Sequence, residues 1–239
     1  MRNILVQIAS RNSPSNLKRT LEMLYSNCDN LDNFDIQVII DSDQIELYLE
    51  VIKEYPVILS IIEHQDYSWS NLINAHHKLM KTNKYYFTIP IPDDTTGICK
   101  HWDKAIVAKK GCFKDDLIVL YTISDWNNRD LKSHENCYAT SDILKKNEHT
   151  PIWTYKFGEY LYPICDKFKI PFCRELIISF MVKCMYLKGI NRHEKCDFYI
   201  KSFTDSNKMG THGNEFWKKY SDDVYAEIEK AVEKMKCLQ

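Results

Sequence analysis

The chain has 239 residues, of which 44% are hydrophobic and 27% charged, enough to bury one full core and thin for two independent domains. Its 32 Lys and Arg are offset by 33 Asp and Glu, a formal charge of −1, so no basic excess exists to neutralise a run of phosphates or to hold an anionic membrane, and nucleic acid is set aside as a partner. No stretch approaches the roughly 20 consecutive apolar residues of a bilayer span, and the start MRNILVQIAS has too short an apolar run for a signal peptide, so no transmembrane segment is expected and the protein reads as cytoplasmic.

The first element, NILVQIA over 3–9, is a buried-strand pattern that stops at Ser10-Arg11-Asn12-Ser13-Pro14, where a capping Ser and a Pro at the first helical position open a helix. Leu17, Leu21, Leu24 and Tyr25 give that helix one apolar stripe. The cycle repeats with a strand IQVII over 36–40, the acidic turn Asp41-Ser42-Asp43, and an amphipathic segment carrying Leu47, Tyr48, Val51, Ile52 and Tyr55 that ends at Pro56. A third strand over 57–62, a third helix marked by Trp69, Leu72, Ile73, His76 and Met80, and a fourth strand within 84–91 follow. Strands alternating with helices predict right-handed crossovers and an α/β fold with a mainly parallel central sheet flanked by helices.

After Asp93-Asp94 the rhythm changes. A short helix is expected over 101–110, a strand over 117–123, a polar loop from about 124 to 150, an aromatic block over 151–163, a helix from about Arg174 to Lys188, and a strand over 197–203. A loop containing Gly210 and Gly213 then leads into a last helix with Trp217, Tyr220, Val224, Ile228, Ala231 and Met235 in phase. No repeat or linker divides the chain, so 1–239 reads as a single domain, with 1–95 as one half and 96–239 built onto it.

The nine cysteines contain no C-x-x-C pair, which points to a reduced chain in which free Cys acts as a small packing residue rather than to a disulfide framework or zinc ribbon. The six glycines form neither G-x-G-x-x-G nor G-x-x-x-x-G-K-[ST]. A glycine-rich turn is what brings backbone amides close to phosphates, so a nucleotide bound here needs another grip on its diphosphate.

Ligands of an open α/β sheet sit beyond the C-terminal ends of its strands. The loops expected there are Ser10-Arg11-Asn12, Asp41-Ser42-Asp43 and Asp93-Asp94. Like charges gathered at one edge repel unless a cation or hydrogen-bonding ligand lies between them. A divalent metal, Mn²⁺ or Mg²⁺, held by Asp93 and Asp94 and bridging both phosphates of a nucleoside diphosphate, would explain the missing glycine loop. The pair also reads as a solvated turn, because Asp favours turns.

In order along about half the chain, ILVQIASRNSPSNLKRTLEML, IQVIIDSD, NLINAHHKLMK, YYFTIPIPDD and the Trp of HWDKAI resemble the family-2-like glycosyltransferases of the GT-A fold. The resemblance implies a GT-A-like domain with a nucleotide-binding half over 1–95 and an acceptor-side half over 96–239. It implies that Arg11 lines the nucleotide pocket, that Asp41 and Asp43 hydrogen-bond base and ribose, and that Asn74 closes the wall behind the diphosphate. Asp93 and Asp94 match the metal-binding D-x-D motif, with the departure that the two are adjacent here. Asp93 thus serves both donor and metal.

For the second half the resemblance implies a general base at the start of a later helix. Glu175 is the first choice, with Asp166 and Glu159 as alternatives; as a helix N-terminal acid Glu175 also complements the dipole. His212, between two glycines, is a candidate metal or phosphate ligand or an ordinary loop residue. The aromatics Trp153, Tyr155, Phe157, Tyr160 and Tyr162 read as core and groove wall, some able to stack on an acceptor sugar. The expected activity is a metal-dependent, inverting glycosyltransferase of hexosyl type, carrying a sugar from a nucleotide-sugar donor, a UDP-sugar, to a glycan or other hydroxyl acceptor. The alternatives are a nucleotidyltransferase and a catalytically silent nucleotide-sugar-binding protein.

Overall fold

The computed structural model of the protein describes residues 2–63, 79–80, 85–124, 151–168, 174–202 and 211–237. The first half follows the expected alternation: β1 (Ile4–Ala9), α1 (Pro14–Ser26), β2 (Phe34–Asp41), α2 (Ile45–Glu54), β3 (Val57–Ile62) and β4 (Phe87–Pro90). The third helix expected between β3 and β4 lies mostly outside the described residues. Strand β1 is parallel to both neighbours, with Ile4 beside Phe34 on one side and Phe87 on the other, and β3 continues the sheet in parallel beyond β2. Alternation divides β1 between two faces: Ile4, Val6 and Ile8 share a buried core with Leu17, Leu21 and Leu24 of α1, whereas Leu5 packs with Met80 and Tyr85.

The second half comprises β5 (Thr95–Ile98), α3 (Trp102–Val107), β6 (Val119–Ser124), β7 (Ile152–Thr154), α4 (Tyr155–Phe168), α5 (Arg174–Leu187), β8 (His193–Ser202) and α6 (Thr211–Lys236). These strands extend the same sheet, in the order β3-β2-β1-β4-β7-β6-β8-β5. Strand β7 is antiparallel to β4 and β6, β8 is parallel to β6, and β5 is antiparallel to β8. All but β7 and β5 therefore run in one direction, which makes the sheet mainly parallel.

Several details depart from the sequence reading. Strands β5 and β7 have only four and three residues, too few for a period-two pattern to register. The aromatic block is a strand followed at once by a helix, disguised by Pro163 inside α4. Strand β8 starts at His193 rather than near Asp197, and α6 starts at Thr211, so Gly213 is helical rather than part of a loop. The expected polar loop over 124–150 lies, beyond Ser124, outside the described residues.

A second core joins the β6–β7 region to α4, α5 and α6 through Trp153, Phe157, Leu161, Met181, Ile228 and Val232. There the indole of Trp153 donates to the Tyr162 hydroxyl at 3.2 Å. A Cβ at Gly158 would lie 2.6 Å from the Tyr162 ring, so glycine is what lets that ring fold back over its own helix.

The start of α3 acts as a buried plug. Trp102 is fully buried and donates its indole N–H to the Leu24 carbonyl at 2.9 Å. Asp103, also fully buried, accepts from the backbone N–H groups of Asp29 at 2.7 Å and Asn30 at 3.1 Å and from the Asn33 side-chain amide at 2.8 Å. Three donors converging on one carboxylate fix the connection between α1 and β2.

Candidate active site

Because β1, β2 and β4 are parallel, Ser10-Arg11, Asp41-Ser42-Asp43 and Asp93-Asp94 leave the sheet at the same edge. Asn12, with φ of +55°, turns the chain there into α1. The Arg11 guanidinium is bound by both carboxylates of the second loop: Nη1 donates to Asp41 Oδ2, and Nη2 donates to Asp43 Oδ2 at 3.0 Å. These bonds hold the guanidinium proton more tightly than usual. The Asp41 side chain is 15% exposed and that of Asp43 48%, so Asp41 is the anchoring partner and Asp43 the one open to a ligand. This acidic cluster is thus answered by an internal cation, which leaves Asp93 and Asp94 as the adjacent carboxylates at this edge.

Asp93 and Asp94 form the turn between β4 and β5, and the turn is held from several sides. Ser10 Oγ donates to Asp93 Oδ2 at 2.6 Å, and Thr20 Oγ1 of α1 donates to the Asp93 carbonyl at 2.9 Å. Arg19 Nε reaches the Thr95 carbonyl at 3.2 Å. Ser10 Oγ also lies 2.8 Å from the Tyr48 hydroxyl, which accepts the Ser13 backbone N–H at 2.9 Å. Ser13 does occupy the cap position before Pro14, but its hydroxyl makes no cap bond. Burial pushes the Asp93 carboxyl above the ordinary carboxylate range, the Ser10 bond pulls it back, and the neighbouring Asp94 charge pushes it up again.

Asp94 Oδ1 is buried and receives no hydrogen bond among the described residues, although Asp94 has other interactions. A buried carboxylate oxygen without a proton donor, beside a second carboxylate, suits a cation. Among the described residues no group of three or more His, Cys, Asp or Glu side chains forms a cage. Two adjacent carboxylates are a donor set of the kind Mn²⁺ or Mg²⁺ uses when phosphate oxygens and water complete its shell.

The other anticipated residues are scattered. Asn74 lies outside the described residues. Glu175 is the second residue of α5, as expected, and its side chain lies outside the described set. Asp166 is exposed in the last turn of α4, and Glu159 of the same helix pairs with Lys156 at 2.9 Å. His212 is the second residue of α6, in a helix and not in a glycine loop; strand β8 before it ends with Ser202 beside Thr95, next to the acidic turn. Trp153, Phe157 and Tyr162 are buried, which removes them from sugar stacking. A cavity of about 420 Å³ lined by Tyr86, Asp115, Asp116 and Tyr155 opens at the opposite edge, near the start of β4, and of the anticipated residues contains only the aromatic Tyr155. The sequence places Ser10 in a loop at this edge but gives Thr20 and Tyr48 no part in it. Tyr48 reads as one more apolar position of the α2 stripe, and only the fold reveals that its hydroxyl reaches the acidic edge.

No family model matches the chain, and no curated protein sequence matches it. Solved structures do. That of S. aureus TarS residues 1–349 with UDP-GlcNAc superposes with a TM-score of 0.62 at 13% identity, covering 96% of this chain and 70% of that one; against a longer TarS structure the chain spans only 36% of that protein's length. Glucosyl-3-phosphoglycerate synthase from Mycobacterium tuberculosis, solved with Mn²⁺, UDP and phosphoglyceric acid, superposes with a TM-score of 0.52 at 10% identity, covering 97% of this chain and 78% of that one. The 4-diphosphocytidyl-2C-methyl-D-erythritol synthase of Anaerococcus prevotii gives a TM-score of 0.50 at 10% identity, covering 95% of this chain and 96% of that one. The chain has the GT-A-like fold of nucleotide-diphospho-sugar transferases. Among the described residues no helix is long and apolar enough to cross a membrane.

Proposed function

We propose that the protein is a metal-dependent glycosyltransferase that moves a sugar, with inversion, from a UDP-sugar to a hydroxyl acceptor. The observation that carries this reading is the convergence of the Arg11–Asp41–Asp43 cluster and the Ser10-held Asp93 with Asp94 on one sheet edge, in a fold whose solved neighbours include complexes with UDP-GlcNAc and with Mn²⁺ and UDP. Asp93 and Asp94 would hold Mn²⁺ or Mg²⁺, which when bound supplies positive charge where negative charge grows on the departing diphosphate. Asp43, the more exposed partner of Arg11, faces the donor, and Arg11 keeps Asp41 and Asp43 in register while offsetting their charge. Glu175 takes the acceptor proton, with Asp166 as the alternative base. His212 is a further phosphate or metal contact from the start of α6. The seven described cysteines are free thiols, which fits a cytoplasmic setting.

Titration with UDP, with and without Mn²⁺, followed by a screen of nucleotide sugars for hydrolysis, tests the reading. It expects Mn²⁺-dependent UDP binding and turnover of at least one donor; UDP binding with no turnover of any donor points to a silent binding protein. Arg11→Ala is expected to weaken UDP about tenfold, because two carboxylates are left facing each other without their charge-assisted bonds. Arg11→Lys should recover little of this, since a point-charge ammonium cannot bridge both partners as the fork does. Glu175→Gln is expected to lower kcat about 100-fold or more with donor affinity within twofold. Wild-type turnover in that variant would move the base role to Asp166.

The second reading is a nucleotidyltransferase. It is supported by the likeness of the fold to that of the Anaerococcus synthase as well as to that of TarS. Against it, the loop after β1, SRNSPSN, contains no glycine with which to cradle a triphosphate. Release of pyrophosphate from CTP or UTP in the presence of a sugar phosphate or alcohol phosphate would select this reading instead.

A further inference from the structure

The hydrogen bonds behind Asp93 run one way. The Ser13 backbone N–H can only donate, and it donates to the Tyr48 hydroxyl oxygen at 2.9 Å. Tyr48 is therefore free to pass its own proton to Ser10 Oγ, 2.8 Å away. An ionised Asp93 has no proton to give, so the Ser10 proton points to Asp93 Oδ2 at 2.6 Å. The direction is set from the carboxylate end: the single Ser10 proton is committed to Asp93, so the bond between Ser10 and Tyr48 takes the Tyr48 proton. The chain is enclosed: Tyr48 is fully buried and Ser10 is 5% exposed. It ties the start of α1, the middle of α2, the exit of β1 and the exit of β4 to one carboxylate oxygen. Thr20 fixes the same residue from its backbone side.

We infer that Ser10 and Tyr48 are positioning residues for the cation site, holding Asp93 in one rotamer as an acceptor whose lone pairs are already oriented when the metal nucleotide arrives. The role assigned to each runs through Asp93. Ser10 holds the carboxylate, and Tyr48 decides which way the Ser10 hydroxyl points. Losing an outer-shell partner of this kind costs about 10–100-fold in metal affinity, and that is the expected size for Ser10→Ala. Tyr48→Phe, which keeps the ring in the core and removes only the hydroxyl, should act in the same direction and less strongly, about 3–10-fold, because Ser10 can still donate but is no longer held to one rotamer.

The inference rests on Asp93 and Asp94 as the cation ligands, so the experiment includes Asp93→Asn and Asp94→Asn. Mn²⁺ is titrated into the UDP-saturated protein and free Mn²⁺ is followed by its electron paramagnetic resonance signal; UDP affinity without metal and the circular dichroism spectrum are recorded for each variant. Supporting results are the stated losses of Mn²⁺ affinity in Ser10→Ala and Tyr48→Phe, with metal-free UDP affinity within twofold of wild type and recovery in Ser10→Thr, which restores a hydroxyl. Wild-type Mn²⁺ affinity in Ser10→Ala while the Asp93 and Asp94 variants lose it overturns the inference and leaves the metal reading standing. Wild-type affinity in Tyr48→Phe alone removes Tyr48 from it. Equal losses of Mn²⁺ and metal-free UDP binding in Ser10→Ala make its role general to the pocket and overturn it too. Unchanged Mn²⁺ affinity in the two Asn variants overturns the metal reading and this inference together.

Discussion

Asp93→Asn and Asp94→Asn are each expected to lower sugar transfer by about 10²–10³-fold or more, the scale set by removing one preorganised group that stabilises developing charge. Asn matches Asp in volume and keeps one carbonyl oxygen, so Ser10 retains an acceptor at position 93 and the turn between β4 and β5 should keep its shape. What disappears is one unit of negative charge beside the expected cation. The loss should therefore appear as weakened Mn²⁺ binding in the presence of UDP, with little change in metal-free UDP affinity. Donor hydrolysis at saturating nucleotide sugar, measured across a Mn²⁺ series, separates the cases. If high Mn²⁺ restores the rate, the carboxylate binds the ion; if it does not, the carboxylate also orients the donor. Wild-type rates at every Mn²⁺ concentration would remove the pair from the chemistry.

Trp102→Ala should produce the largest loss of stability, about 3–5 kcal/mol, the range for emptying a fully buried aromatic site. For a chain of this size that lowers the thermal midpoint by about 6–20 °C. The indole N–H bond to Leu24 is lost with the ring, and the core cluster containing Phe34, Leu24 and Ile106 loses its largest member. Asp103→Ala removes no large volume, yet it leaves two peptide N–H groups and one side-chain amide without their acceptor. Orphaned buried donors cost about 1–3 kcal/mol each where water cannot replace the partner, so a loss of about 3 kcal/mol is expected. Asp103→Asn, which keeps one acceptor oxygen, should fall between. Urea unfolding followed by tryptophan fluorescence and far-ultraviolet circular dichroism checks all three. A Trp102→Ala midpoint within 2 °C of wild type would mean that the plug fastens nothing.

The first half was legible because β1 and β2 are long, apolar and each followed by a helix with an uninterrupted stripe. The β1 pattern and the Leu17–Leu21–Leu24 stripe are local statements, and locality is what a single sequence carries. The second half was less legible for identifiable reasons. Strand β7 is three residues long and reversed, Pro163 sits within α4, and β5 looks like the continuation of a turn. Asp41 and Asp93 come to one edge because each follows an expected strand, over 36–40 and within 84–91, and those strands lie parallel on either side of β1. The pairing of Arg11 with Asp41 and Asp43 was not legible, because it depends on β1 and β2 lying side by side with their ends level. Tyr48 shows the limit most clearly: its ring obeys the helical stripe while its hydroxyl serves a residue on another strand.

The place of β5 at the far margin of the sheet bears on the order in which the molecule is completed. Strands β1 to β3 pair across short stretches of chain, whereas β4 pairs with β1, Phe87 lying beside Ile4, and β5 with β8, Ile98 lying beside Ile200. Non-local pairing of this kind waits on the slow closure of a long loop. The acidic turn lies between two such long-range pairings, β4 with β1 on one flank and β5 with β8 on the other. On this topology the acidic edge is expected to form with the completed sheet rather than with the β1–β3 unit alone.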